Sequence, residues 1–215
     1  MSEKETFLSR TKKWFSSKAT EKEQTEEKET NENQKGKYIH KEIDPIDVRF
    51  ASSFTKYSGK FLYCSSEAEF LHGLASVVSE YDLDEVYCHD PKMFSILERS
   101  NIEYSVKDPL QYDAFIHGCE FLIAFNGGIM ISSFQTSGKK LHELPRNHIV
   151  IGYTSQIVEN LGEGLKGIRK RYKGDDMPSM ITDISGPKLP GESTDEKYRL
   201  NDQKNVFLLL VEDQL

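Results

Sequence analysis

KFLYCSSEAEFLHGLASVVSEY, residues 60–81, is the stretch that decides the fold. Phe61-Leu62-Tyr63-Cys64 is a short aromatic and apolar run of the kind that forms a strand. Ser66 and Glu69 follow at capping-box spacing, and Phe70, Leu74, Val77, Val78 and Tyr81 then share one helical face. A strand passing directly into an amphipathic helix is a βα unit. A chain that repeats the unit builds a parallel or mainly parallel sheet covered by helices.

Downstream the unit recurs. Val86-Tyr87-Cys88 reads as a second strand, and Asp90 is placed to cap a helix that starts at Pro91 and turns Met93, Phe94 and Leu97 inward. Tyr104 to Val106 is a third strand. Phe121 to Phe125 and Ile129 to Ser133 flank the turn-forming tripeptide Asn126-Gly127-Gly128 and predict a hairpin. His148 to Tyr153 is a further strand, after which Thr154-Ser155 is expected to open a helix carrying Ile157, Leu161, Leu165 and Ile168 on one face. The basic end of that helix, Arg169 to Lys173, suits the negative pole of the helix dipole. Met180 to Ser185 precedes a Gly/Pro-rich loop. Val206 to Val211 is a continuous apolar run fit for a strand buried on both faces.

Upstream the composition changes. From Lys18 to Lys37 the only apolar side chain is Ala19, so the stretch cannot repay the cost of ordering its backbone. Three regions result: a short amphipathic segment over 1–17, a charged linker over 18–40 and an α/β domain over 41–215. Phe7, Leu8, Thr11, Trp14 and Phe15 give the first segment an apolar stripe with the chain's only Trp, and such a stripe wants a surface: its own domain, a partner protein or a membrane face. The 215 residues suffice for one sizeable core, and a formal net charge of -7 argues against a nucleic-acid partner. No apolar run reaches the roughly 18–20 residues of a transmembrane helix, and Met1 to Arg10 lacks a secretory signal, which places the protein in the cytoplasm. Cys64, Cys88 and Cys119 are too widely spaced for a C-x-x-C pair and read as reduced core thiols.

The run from Tyr112 to Leu161, YDAFIHGCEFLIAFNGGIMISSFQTSGKKLHELPRNHIVIGYTSQIVENL, resembles the LUD family, whose members include the C-type lactate-utilization proteins. The likeness lies in order and spacing: Ala124, Gly127-Gly128, the strand Ile129 to Ser133, Leu144-Pro145, His148-Ile149-Val150 and Ser155-Gln156-Ile157-Val158. Ile184-Ser185-Gly186-Pro187 is similar to the family's Ser-Gly-Pro loop, and the final apolar strand matches its ending. The resemblance implies a three-layer α/β/α sandwich like that of the sugar-phosphate isomerase and CoA-transferase superfold. It also implies association with the oxidation of lactate to pyruvate beside iron–sulfur companion subunits, with no redox cofactor bound by this chain. Two departures stand out. Phe125 occupies the place where the family commonly has a glutamate, and Lys188-Leu189-Pro190-Gly191-Glu192-Ser193 replaces the usual Ser-Arg-Thr-Ala-Asp.

A pocket in such a fold is expected at the carboxyl ends of the strands. Two loops are candidates for holding an anion. Asn126, Gly127 and Gly128 would let the backbone approach a carboxylate or phosphate that Lys139 and Lys140 neutralise, and Ser185, Gly186 and Lys188 offer a second such turn. A plain hairpin turn and a solvated loop account better for the first stretch, and a strand-ending turn accounts equally well for the second. His117 and Cys119 share a strand face at i and i+2, but a nucleophilic pair also needs a group to orient the base. No spacing of His, Cys or carboxylates supports a metal site. The leading expectation is an accessory or ligand-binding subunit for a small anionic metabolite. The alternatives are an enzyme acting on a phosphorylated or CoA-thioester substrate, and a non-catalytic scaffold that binds a partner through residues 1–17.

Overall fold

The computed structural model describes residues 44–56, 59–185 and 204–213. The expected segment over 1–17 and linker over 18–40, together with Gly186 and Lys188, lie outside the described residues.

The Val206 run explains the architecture. It forms β10 (Asn205–Val211), which pairs in parallel with β1 (Lys60–Cys64) on one side and β7 (Asn147–Tyr153) on the other. Beyond β7 lie β4 (Ala114–Gly118), β2 (Val86–Tyr87) and β3 (Tyr104–Ser105), completing a six-stranded sheet in the order β1-β10-β7-β4-β2-β3. Every pairing in it is parallel. Alternate residues of β10 face opposite layers. Phe207, Leu209 and Val211 meet α2 (Glu67–Glu80) and α3 (Pro91–Arg99), whose Phe70, Leu74, Val78, Met93 and Leu97 are the inward positions expected from the sequence. Val206, Leu208 and Leu210 face the other way, toward Phe50 and Phe54 of α1 (Ile46–Lys56) and a second, smaller sheet.

That smaller sheet is an addition to the expected α/β sandwich. It contains β8 (Ile157–Val158), β5 (Phe121–Ile123), β6 (Gly128–Ser132) and β9 (Ile181–Ile184) in that order. The hairpin is present as β5 and β6, paired antiparallel. Leu122, Ile129 and Ile131 point toward the large sheet, while Phe121, Ile123 and Met130 point outward to Ile168 of α5 (Leu161–Arg171).

The helix expected from Thr154 begins later. Thr154–Gln156 is a 3-10 turn, and the β-branched pair Ile157-Val158 lies alongside Leu122-Ile123 as β8. Asn160 is the cap, its side chain accepting from the Glu163 N–H. The helical spacing from Ile157 was real, but strand pairing claims its first residues.

A buried imidazole pair crosses the large sheet from β4 to β7. The Gly118 carbonyl can only accept, so His117 donates to it from Nδ1 at 2.7 Å, which leaves Nε2 to accept from His148 Nδ1 at 2.9 Å. Both residues are fully buried. Burial pushes His117 down to about 4, with the nearby His89 acting in the same direction. Burial also holds His148 well below 6.5, helped by His117 and Lys204. In the unfolded chain these groups bind protons near pH 6.5, so between about pH 6.5 and 4 the unfolded state holds more protons and stability falls as pH falls. Urea midpoints are expected to be flat above pH 7 and to decline from pH 6.5 to 4.5. The His117→Gln/His148→Gln double variant should lose most of that slope.

Candidate functional site at the carboxyl edge of the sheet

Polar side chains gather where β1, β10, β7 and β4 end. After β10, Glu212 meets the hydroxyl of Tyr63, and Asp213 accepts from Thr154 Oγ1 (2.6 Å), Ser155 N (2.5 Å) and Ser155 Oγ (2.6 Å). After β7, Gln156 donates to the Cys119 carbonyl at 2.6 Å and accepts from Tyr153 N at 2.8 Å. At the end of β2, His89 Nε2 lies 3.0 Å from the Phe134 carbonyl in α4 (Ser133–Thr136).

Glu120 is the centre of this edge. It stands between β4 and β5 with no exposed surface. Arg171 Nη1 at the end of α5 donates to Oε2 at 2.7 Å, and Gln135 Nε2 (3.1 Å) and Ser132 Oγ (2.9 Å) reach Oε1. The Tyr172 hydroxyl lies 3.2 and 3.3 Å from the two oxygens. A buried carboxylate is tolerated only with such a set of donors. Gln135 is fixed in turn by a capping box, its Oε1 accepting from Ser132 N at 2.7 Å. Arg171 keeps 44% of its side chain exposed and lies over the Phe121 ring.

The two candidate loops fall differently. Gly127 N donates to the Ile123 carbonyl and Gly128 N to Asn126 Oδ1, so the two glycine amides are already used within the hairpin. Gly127 has φ +68°, and a Cβ there would overlap the backbone of α1 at Phe54. Asn126 Nδ2 reaches Asp183 at 3.3 Å, and the antiparallel register Ile129↔Ile184 brings Ser185 beside the same turn. Lys139 and Lys140 follow α4 at the other end of β6, separated from the glycines by about 16 Å of strand. Lys140 N donates to Glu143 there. Phe125, in the place of the family's glutamate, is 81% exposed.

Sequence reading missed Glu120, Arg171 and Gln156 as a group. The available signal was a lone carboxylate inside the apolar run Ala114 to Phe125. The thiols are not activated: burial pushes Cys64 up to about 11, Cys88 up to about 12 and Cys119 higher still. Among the described residues no group of three or more His, Cys, Asp or Glu is arranged to hold a metal, and no helix is long and apolar enough to cross a membrane.

Residues 105–211, which contain this edge apart from Tyr63, His89 and Glu212-Asp213, match the LUD domain family. They form a LUD domain. Lactate utilization protein B of Bacillus licheniformis is 32% identical over 87 residues, which are 39% of this chain and 18% of that protein. The same protein of Bacillus subtilis is 30% identical over 86 residues, again 39% of this chain and 18% of the relative. The chain therefore spans about a fifth of the length of these curated relatives. A crystal structure of a DUF162 family protein from Deinococcus radiodurans shares the fold with a TM-score of 0.56 at 17% identity, over 77% of this chain and 96% of that one.

The Glu120–Arg171 tie has an asymmetric test. Arg171→Ala leaves a buried carboxylate without its cation and should destabilise the LUD domain toward the lower end of ~3–5 kcal/mol. Glu120→Gln frees a half-exposed guanidinium to water and should cost about 1–2 kcal/mol. Urea denaturation of the two variants checks the order.

Proposed function

We propose that the LUD domain is a ligand-binding, accessory subunit in the cytoplasmic oxidation of lactate to pyruvate, taking a small carboxylate metabolite and working beside iron–sulfur companion subunits. The family supports the pathway, and the geometry supports binding over catalysis. The carrying observation is that the nucleophile candidates at the carboxyl edge are already engaged: Glu120, Glu212 and Asp213 accept hydrogen bonds from their own chain, and the thiols are held protonated. A carboxylate whose oxygens are occupied by its own chain has fewer lone pairs to offer a substrate. Arg171 has further N–H donors beyond the one held by Glu120, and a planar guanidinium suits a carboxylate ligand. Lys139, Lys140 and Ser185 remain secondary candidates for contacting the anion.

A ligand that binds only the folded state raises the melting temperature. Thermal shifts with lactate and pyruvate are expected to saturate, to weaken in Arg171→Lys, which retains the charge beside Glu120, and to be compared with the Lys139→Ala/Lys140→Ala variant. A shift confined to sugar phosphates or CoA thioesters, with turnover, would instead support an enzyme of the isomerase and CoA-transferase type. Silence toward all four would leave the scaffold reading standing.

A further inference from the structure

At the end of the large sheet remote from β3, β1 is paired only on its β10 side among the described residues. Between this strand and α2 lies a groove of about 200 Å³ whose apolar walls include Leu62, Val77, Tyr81 and Phe207. Leu62 is 38% and Tyr81 43% exposed. Lys60 lies in the same groove. Its ammonium sits 3.6 Å from the centre of the Tyr81 ring and 4.4 Å from that of Phe207, which themselves meet edge to face at 4.6 Å. This is a cation held against two aromatic rings with its remaining side open to the groove. An indole is the strongest partner for such a cation.

We propose that this groove is the docking site of the chain's own segment Phe7–Phe15, with Trp14 entering beside Lys60. Three observations carry it. The cavity has the size of one large side chain, and Trp14 is the only Trp of the chain. Lys12 and Lys13 immediately precede Trp14, and Glu80 lines the groove. Residues 16–43 join the segment to Asp44, and a flexible chain of that length would span about 29 Å. That reach covers any face of a domain whose radius of gyration is about 15 Å. Attachment through the chain raises the effective concentration of the segment to the millimolar range, so a modest intrinsic affinity suffices. The inference is independent of the proposed ligand at the carboxyl edge.

Because Trp14 is the sole indole, its fluorescence reports the docking directly in the full chain. Emission is expected to be shifted to the blue relative to a peptide of residues 1–17, and iodide quenching to be at least threefold weaker. Lys60→Gln and Glu80→Lys, both exposed changes that spare the core, should each move emission and quenching toward the peptide values, and Leu62→Asp should do so fully while circular dichroism confirms that the domain is folded. Peptide-like emission in the unaltered chain overturns the proposal. So does a blue shift that all three variants leave intact, which would put Trp14 elsewhere, or one that vanishes on dilution, which would make the occupant a segment of a second copy.

Discussion

A carboxylate removed from water must be met by donors, and in this protein that requirement organises the carboxyl edge. Glu120 lies where the chain leaves the large parallel sheet for the small one. Its partners come from the end of β6, from α4 and from the end of α5. Of these, β6 also packs on the large sheet through Ile129 and Ile131, while α5 packs on the outer face of the small sheet. Ile168 and Met130 belong to an outer cluster separate from the one that buries Leu208 and Leu210. Apolar packing joins the two sheets, and the ion pair with its neutral donors ties the end of α5 to their junction. The arrangement also occupies both oxygens of that carboxylate with donors from its own chain.

The parallel sheet was legible because its signals are local. The continuous apolar run Val206 to Val211 predicts a strand covered on both faces, and Ser66 and Asp90 mark helix starts that the structure retains. What escaped was decided by tertiary contact. Ile157-Val158 satisfies a helical spacing and a strand composition equally, and the open edge of β5 settles the choice. Ala114 to Gly118 carries Gly and His within a short strand, a weak local signal that pairing on both sides overrides. Helix α1 is held by Phe50 and Phe54, buried in the core and stacked at 5.7 Å between ring centres.

Site prediction was limited for a related reason. Glycine-rich turns read in sequence as free N–H groups, but the hydrogen bonds of Gly127 and Gly128 are closed within the hairpin and against Asn126. Whether a turn can receive an anion depends on which amides remain open, and that is a property of the folded loop. Glu120 and Arg171 are separated by fifty residues of chain, and only the packing of α5 on the small sheet brings them together. The family resemblance, by contrast, depended on order along the chain, and the LUD domain match covers that same stretch.

The tie through Glu120 is tested most directly by native-state hydrogen exchange on Glu120→Gln beside the unaltered chain. If Glu120 couples the outer layer to the sheet, amides of Gly128–Ser132 and Leu161–Arg171 will lose protection together while Asn205–Val211 and Asn147–Tyr153 keep theirs. Loss spread evenly over both sheets, or confined to the immediate neighbours of residue 120, would contradict that coupling.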